Sequence, residues 1–156
     1  MTTVEQAEKI VSAEKKDYGT ESIYFENALG RVLAEDLKAD RDLPPYNRVT
    51  MDGVAISFAA FENGTRSFKI IATQAAGDAS FEINHPSECI EIMTGAALPA
   101  TTDTVIRYED LEINGGTATV KTDTVSKGQS IHLKGIDKTN GDLVAKKNQV
   151  ITPAAS

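Results

Sequence analysis

Residues 43–55, Leu-Pro-Pro-Tyr-Asn-Arg-Val-Thr-Met-Asp-Gly-Val-Ala, constrain the fold more than any other part of the sequence. Two consecutive prolines fix φ and remove backbone donors, so the chain is expected to be extended there. Gly53 then lets the chain turn where a residue with a Cβ would be strained. The pattern predicts that Asp52 lies at a sharp bend. An ordinary turn is the alternative, because an aspartate before glycine commonly accepts hydrogen bonds from its own backbone.

Composition limits the class of protein. The chain has 156 residues and is 40% hydrophobic, enough for one substantial core or for two small lobes. Its formal charge of −7 and pI near 4.8 oppose binding to phosphate backbones, so we expect no nucleic-acid partner. The sequence shows neither an apolar run long enough to cross a bilayer nor a signal peptide, which favours a cytoplasmic location and no membrane partner.

The single cysteine, Cys89, lies in the apolar run Cys-Ile-Glu-Ile and excludes an internal disulfide framework. We expect it to be a small buried hydrophobic residue and not a nucleophile. Neither His85 nor His132 has a partner pattern that would indicate zinc ligation.

Apolar periodicity predicts helices near the N-terminus. Residues 2–16 carry an amphipathic pattern, and Thr3 with Gln6 has the spacing of a capping box. A short strand is expected around Ile23. Asn27 can cap a second helix, whose apolar face would comprise Ala28, Leu29, Val32 and Leu33.

The middle of the chain is dominated by strand patterns separated by Gly, Asn and Asp turns. A hairpin over residues 111–122 is expected to turn at Asn-Gly-Gly. The other predicted strands cover residues 53–58, 67–72, 88–93, 104–108, 130–133 and 143–145.

The C-terminal end carries a helix start signal. Thr152 followed by Pro153 is typical of a capping residue and the first helical position. A marginal helix needs about a dozen residues or tertiary support, so the signal indicates a cut chain, with an ordinary frayed tail as the alternative.

Three similar bends could share a ligand: Met51-Asp52-Gly53, Met93-Thr94-Gly95 and Gly135-Ile136-Asp137. Thr94 and Gly95 suit an anion or hydroxyl contact through a side chain and backbone N–H groups. Asp52 and Asp137 suit a divalent cation or a water molecule. Each bend alone is more often a turn than a site.

These residues resemble the MoeA family, the molybdopterin molybdenumtransferases that also include the E domain of gephyrin. The resemblance runs nearly end to end, and the order of its motifs is more specific than any one of them. The matching segments are residues 28–36, 43–46 with 51–55, 92–96 with 98–99, 103–106, 135–137 and 143–153.

The resemblance implies a mixed α/β, β-rich fold. Residues 1–42 and 139–156 would form an elongated lobe of helices and strands that serves dimerisation. Residues 43–138 would form an inserted, barrel-like β lobe. The resemblance covers only the N-terminal region of such a protein, so a molybdopterin-binding domain and a C-terminal domain would follow.

The resemblance also implies a function: insertion of molybdate into adenylylated molybdopterin with release of AMP, assisted by a divalent metal, with Mg²⁺ expected. It assigns Asp52, Thr94 and Asp137 to catalysis, Gly53, Thr94 and Gly95 to substrate contacts, and the metal to Asp52 and Asp137. The expected partners are a second subunit, whose molybdopterin-binding domain completes the site, and molybdopterin adenylyltransferase. The fragment alone is expected to be inactive.

The sequence departs from the family pattern in two places. Arg48-Val49-Thr50 stands where the family has Asn-Ser-Ala. Around Gly135, His132, Leu133 and Lys134 stand where the family favours arginines, and Ile136 replaces the glutamate of its Glu-Asp pair. These departures favour the alternative function, a non-catalytic module for dimerisation or scaffolding, whereas the retained Asp52, Thr94 and Asp137 favour catalysis. A generic β-rich binding module is the third alternative.

Overall fold

A computed structural model describes residues 2–153, which divide into two compact units. Unit 1 comprises residues 2–37 and 143–153 of those described, and unit 2 comprises residues 38–142. These boundaries lie four or five residues from those predicted from the sequence, and the assignment of a dimerisation role to one lobe stays a prediction.

Unit 1 begins with helix α1 (Val4–Ala13). The predicted capping box is confirmed: Gln6 N donates to Thr3 Oγ1 at 3.3 Å, and Thr3 N donates to Gln6 Oε1 at 3.0 Å. None of the residues of α1 is buried. A 3₁₀ turn (Phe25–Asn27) follows, and strand β1 (Leu37–Lys38) pairs with strand β10 (Leu143–Ala145), which confirms the predicted strand at 143–145.

The predicted helix over residues 28–33 is wrong. Gly30 has φ of +78° and Gly30 N donates to Ile151 O at 2.9 Å, while Leu33 N donates to Gln149 O at 2.9 Å. Residues 29–30 therefore form a turn, and residues 31–33 are bonded to the C-terminal part of unit 1. Tertiary pairing outweighed the helical periodicity of its apolar residues. The short strand expected around Ile23 is also absent from the described residues, and the 3₁₀ turn stands beside it.

Unit 2 is built on a curled six-stranded sheet, a half-barrel with the strand order β6-β3-β5-β4-β8-β7. Strand β2 (Arg48–Val49) pairs separately with β9 (Ile131–His132). The strands of the large sheet are β3 (Gly53–Ile56), β4 (Ser67–Gln74), β5 (Glu88–Ile92), β6 (Thr104–Arg107), β7 (Leu111–Asn114) and β8 (Thr117–Val120).

The strand predictions for the middle of the chain are confirmed, with shifts of one or two residues at several ends. The hairpin β7–β8 turns through two glycines, as its sequence predicts. Helix α2 (Phe58–Glu62) and a 3₁₀ turn (Tyr108–Asp110) were not predicted. Only Phe58 of α2 lies within a predicted strand, the one over residues 53–58.

Each face of the half-barrel carries a cluster of buried residues. One face packs a cluster that includes Val54, Phe68, Cys89 and Ile106, and the other packs Val49, Ala55, Ile92, Ala96 and Val105. Cys89 is fully buried, and burial raises the pKa of its thiol to about 12, which agrees with the structural role predicted for it.

Two further sequence predictions concern a helix at the C-terminal end and the absence of a membrane-spanning segment. The helix expected to start at Thr152-Pro153 would extend over residues 154–156, which lie outside the described residues. Within residues 2–153, every helix is too short or too polar to cross a bilayer.

Candidate functional site

Asp52 and Thr94 form the centre of the candidate site. Asp52 directly precedes β3, and Thr94 follows β5 by one residue. The two strands are antiparallel with Gly53 opposite Ile92, so the start of β3 meets the end of β5. Thr94 donates to Asp52 Oδ1 twice, from its backbone N at 2.7 Å and from Oγ1 at 2.7 Å.

These two bonds define the chemistry of the pair. The backbone N–H of Thr94, followed by its hydroxyl, lowers the pKa of Asp52, so the carboxylate is ionised at neutral pH. Every hydrogen bond that the described residues give this carboxylate goes to Oδ1. Because the Thr94 hydroxyl donates its only proton to Asp52, it can only accept a hydrogen bond from a ligand.

The two glycines of the site act differently from the prediction. Gly53 does not occupy the left-handed region: a Cβ there would lie 1.9 Å from the carbonyl oxygen of Ile106, so glycine permits close approach of β3 to β6. Gly95 does turn the chain, with φ of +91°. Its N–H donates to Val49 O at 2.9 Å, so the expected anion contact through free N–H groups of Thr94 and Gly95 does not fit this arrangement.

Asp137 contacts a different partner. His132 Nε2 lies 3.0 Å from Asp137 Oδ1 and 3.1 Å from Oδ2, and Asp137 N donates to Leu43 O at 3.0 Å. Arg48 of β2 pairs with His132 on one side and with Ala97 on the other. Strand β2 therefore lies between the Thr94 bend and the His132–Asp137 pair.

The contact of His132 with Asp137 was not predicted from the sequence, where His132 was considered only as a zinc ligand. The signal available was an aspartate five residues later across a Gly-containing turn, which returns the chain toward the strand. A second missed residue is Gln74, a buried amide whose bonds to the Thr94 segment have no local sequence signature.

A divalent cation fits this donor set only in part. Mg²⁺ is commonly held by one or two carboxylates together with waters and substrate oxygens, and an ionised, exposed Asp52 suits that role. Asp137 is less suited, because both of its oxygens face the His132 ring. Among residues 2–153, no group of three or more His, Cys, Asp or Glu side chains could hold a metal by itself.

Fold and site together define a β-rich half-barrel module that presents a hydrogen-bonded Asp–Thr pair where two antiparallel strands meet. A family model described as MoeA N-terminal region (domain I and II) matches residues 2–156. The chain belongs to the MoeA family and corresponds to its N-terminal region, which confirms the resemblance seen in the sequence motifs.

Curated relatives agree with this assignment. Molybdopterin molybdenumtransferase from Synechocystis sp. is 34% identical over 156 residues, which are 99% of this chain and 40% of that protein. The protein of the same name from Bacillus subtilis is 31% identical, with coverage of 98% and 37%. The chain therefore spans about two fifths of the length of these relatives.

Solved structures support the fold. Two crystal structures of the molybdopterin biosynthesis MoeA protein from Pyrococcus horikoshii match with TM-scores of 0.81 and 0.79 and identities of 31% and 29%. The first match covers 97% of this chain and 39% of that protein, and the second covers 86% and 36%. The predicted β-rich MoeA-like fold is confirmed.

Proposed function

We propose that this chain is the part of a molybdopterin molybdenumtransferase that contributes the Asp52–Thr94 pair to the reaction. In that reaction molybdate is inserted into adenylylated molybdopterin and AMP is released, in the cytoplasm. The observation that carries the proposal is the pair of 2.7 Å bonds that hold Asp52 ionised beside the bend of a MoeA-family half-barrel.

Within the proposal, Asp52 and Thr94 have complementary roles. The ionised Asp52 would be a ligand of Mg²⁺, which supplies positive charge to molybdate and phosphate oxygens when bound. The Thr94 hydroxyl, which already donates to Asp52, would accept a hydrogen bond from an N–H or O–H group of the pterin substrate. Gly53 lets β3 approach β6 and Gly95 turns the chain, so both glycines support this geometry.

Asp137 is proposed to act with His132. The imidazole fixes the carboxylate by two contacts of 3.0 and 3.1 Å, an arrangement that suits holding a water molecule more than direct ligation of a metal. Both family departures, at residues 48–50 and around Gly135, adjoin this pair.

The central test uses the full-length polypeptide that carries these residues. Asp52→Ala and Thr94→Ala should each reduce formation of molybdenum cofactor by roughly a hundredfold, since both remove groups proposed to contact metal or substrate. Asp142→Ala is the matched control, because Asp142 also accepts two bonds from a threonine, Thr139, in another turn. Wild-type turnover in both Asp52→Ala and Thr94→Ala would contradict the proposal.

Metal binding has a test independent of turnover. Mn²⁺, as a paramagnetic substitute for Mg²⁺, should broaden the amide NMR signals near Asp52 in the wild-type chain and leave them sharp in Asp52→Asn. The same comparison with Asp137→Asn decides whether Asp137 contributes to the metal site. Equal broadening in wild type and Asp52→Asn would remove Asp52 from it.

A second copy of the chain is proposed to bind through unit 1, with the partner's molybdopterin-binding domain completing the site and molybdopterin adenylyltransferase supplying the substrate. The support is α1, which buries none of its residues and leaves Val4, Ile10 and Val11 between 61% and 72% exposed. Light scattering should report a dimer for the full-length polypeptide and a monomer for Val11→Glu. Ser12→Glu adds the same charge beside that face and should remain dimeric.

The alternative function is a non-catalytic module for dimerisation or scaffolding. The apolar exposure of unit 1 and the replaced residues around Gly135 favour it. A full-length polypeptide that dimerises but forms no molybdenum cofactor, with or without Asp52, would support this alternative.

A further inference from the structure

Gln74, the last residue of β4, is a fully buried polar side chain beside the site. Its amide makes two bonds: Nε2 donates to Ala97 O at 2.7 Å, and Oε1 accepts from Phe81 N at 3.1 Å. Its backbone carbonyl accepts from Met93 N at 3.1 Å. One residue therefore bonds to both ends of the segment of residues 93–97.

Thr94 and Gly95 lie between the two points that Gln74 holds. Parallel pairing places Gln74 opposite Ile92, so its backbone fixes where β5 ends. Its side chain then fixes the carbonyl of Ala97, on the far side of the bend. The Thr94 N–H and hydroxyl can reach Asp52 only if this segment keeps its path.

The amide of Gln74 is not needed to fill the core. A methionine has nearly the same volume, and burying an amide has a cost that only its hydrogen bonds offset. Both amide bonds are made, to two different loops, so the group specifies a backbone position and does not simply occupy space.

We propose that Gln74 is the positioning residue of the candidate site and that it sets the Thr94–Asp52 geometry through the segment of residues 93–97. Its functional meaning rests on the role proposed above for Thr94, whereas its structural effect can be measured without turnover. Gln74 touches neither Asp52 nor Thr94 in any hydrogen bond of the described residues.

The structural test compares amide NMR shifts and hydrogen exchange in three variants of the chain. In Gln74→Met both amide bonds are lost, and the Thr94 N–H should exchange roughly tenfold faster. Gln74→Glu keeps the acceptor for Phe81 and, when ionised, sets a carboxylate oxygen against the Ala97 carbonyl in place of the donor, so it tests that one contact at a pH where the carboxyl is ionised. Thr104→Val is the control, because Thr104 is equally buried and bonds to Gly128 N instead.

The expected result is faster exchange at Thr94 and shifted signals at Gly95 in both Gln74 variants, with strand β5 still protected. Thr104→Val should leave both signals as in wild type. Unchanged Thr94 exchange in Gln74→Met and Gln74→Glu, with β5 folded, would overturn the inference. So would an equal effect of Thr104→Val.

The functional arm uses the full-length polypeptide. Gln74→Met should raise KM for adenylylated molybdopterin and lower kcat, whereas Thr104→Val should change neither. If Thr94→Ala is impaired but Gln74→Met has wild-type kinetics, the positioning role in function is wrong. If Thr94→Ala itself has wild-type kinetics, the proposed function fails, and the exchange data alone decide whether Gln74 positions the segment.

Discussion

Units 1 and 2 differ most in where their apolar side chains lie. All buried hydrophobic residues of the described chain except Ala145 belong to unit 2. By contrast, thirteen of the twenty-one exposed large hydrophobic side chains among residues 2–153 belong to unit 1, although it is the smaller unit. Unit 1 also contains an apolar groove of about 430 Å³, lined by Phe25, Leu29, Leu33 and Ile151 among others.

The difference separates two sources of stability. Unit 2 packs a buried cluster against each face of its sheet, so its free energy of unfolding comes from contacts within the chain. Unit 1 leaves comparable side chains in water, where they contribute little until another surface covers them. This contrast agrees with the proposal that unit 1 binds a second subunit while unit 2 carries the site.

The largest expected effect is on the free energy of unfolding, when a phenylalanine is replaced by alanine in each unit. Phe68 is fully buried, so Phe68→Ala should lower the free energy of unfolding by about 3–5 kcal/mol. Phe25 is 82% exposed, and Phe25→Ala should change it by no more than about 0.5 kcal/mol. Urea unfolding followed by circular dichroism measures both. A similar loss in the two variants would remove the distinction between the units.

A smaller contrast is expected between two glycines. Gly53→Ala drives a Cβ to within 1.9 Å of the Ile106 carbonyl oxygen and should cost about 3 kcal/mol, because β3 must move from β6. Gly19 in unit 1 has open space around it, and Gly19→Ala should cost only about 1 kcal/mol for its φ of +73°. Thermal unfolding of both variants measures the contrast, and equal shifts in Tm would argue against the close approach of β3 and β6.

The same contrast explains how far the sequence could predict the structure. The strands of unit 2 were predictable from the sequence. Their apolar residues occur in short runs or alternate with polar ones between turn residues, and these apolar residues are the ones that the half-barrel buries. In unit 1 the apolar residues near Leu29 predict a helix, yet Leu29 and Gly30 form a turn, and bonds from Gly30 and Leu33 to the C-terminal part of the unit replace the helical hydrogen bonds. Hydrogen bonds between segments far apart in the sequence produce no periodic pattern of apolar residues, so they cannot be predicted from periodicity.

The candidate site was also predictable only in part. The motif resemblance selected Asp52 and Thr94, and antiparallel pairing of β3 with β5 brings them together. The place of Asp137 beside His132 depends on the turn after β9, and the role of Gln74 depends on where Ala97 lies in space. Such contacts join residues far apart in sequence or across an irregular turn, so no spacing rule identifies them.

A smaller effect is expected from removing the cap of α1, which tests whether the stability of unit 2 is independent of this helix. Thr3→Ala removes the side chain that caps α1 and should destabilise the helix by about 1 kcal/mol. Because α1 buries nothing, hydrogen exchange of the strands of unit 2 should stay unchanged. Thr3→Ser retains the cap and should behave as wild type. Loss of protection in β3 or β5 on Thr3→Ala would show that unit 2 depends on this helix.

The smallest expected effect concerns the titration of carboxylates. Thr94 lowers the pKa of Asp52, and Thr139 lowers that of Asp142 in the same way, while in unit 1 a backbone hydrogen bond lowers the pKa of Glu5. Above the ordinary carboxyl pKa of about 4, each ionised carboxylate contributes its full stability to the folded chain. This stability is lost as the pH falls through the lowered pKa. Acid should therefore loosen the bends that hold Asp52 and Asp142, and the first turn of α1 that holds Glu5.

Thr94→Val isolates this electrostatic contribution. It removes the hydroxyl bond while keeping the backbone N–H, so the pKa of Asp52 should rise part of the way toward its ordinary value. NMR titration of the side-chain carboxyl carbons follows this change, with Asp142 in the same sample as the internal control. A pKa of Asp52 that stays at its wild-type value would mean that the hydroxyl does not hold the carboxylate. In that case Thr94 would be free to donate to a substrate anion, and its role as an acceptor would have to be abandoned.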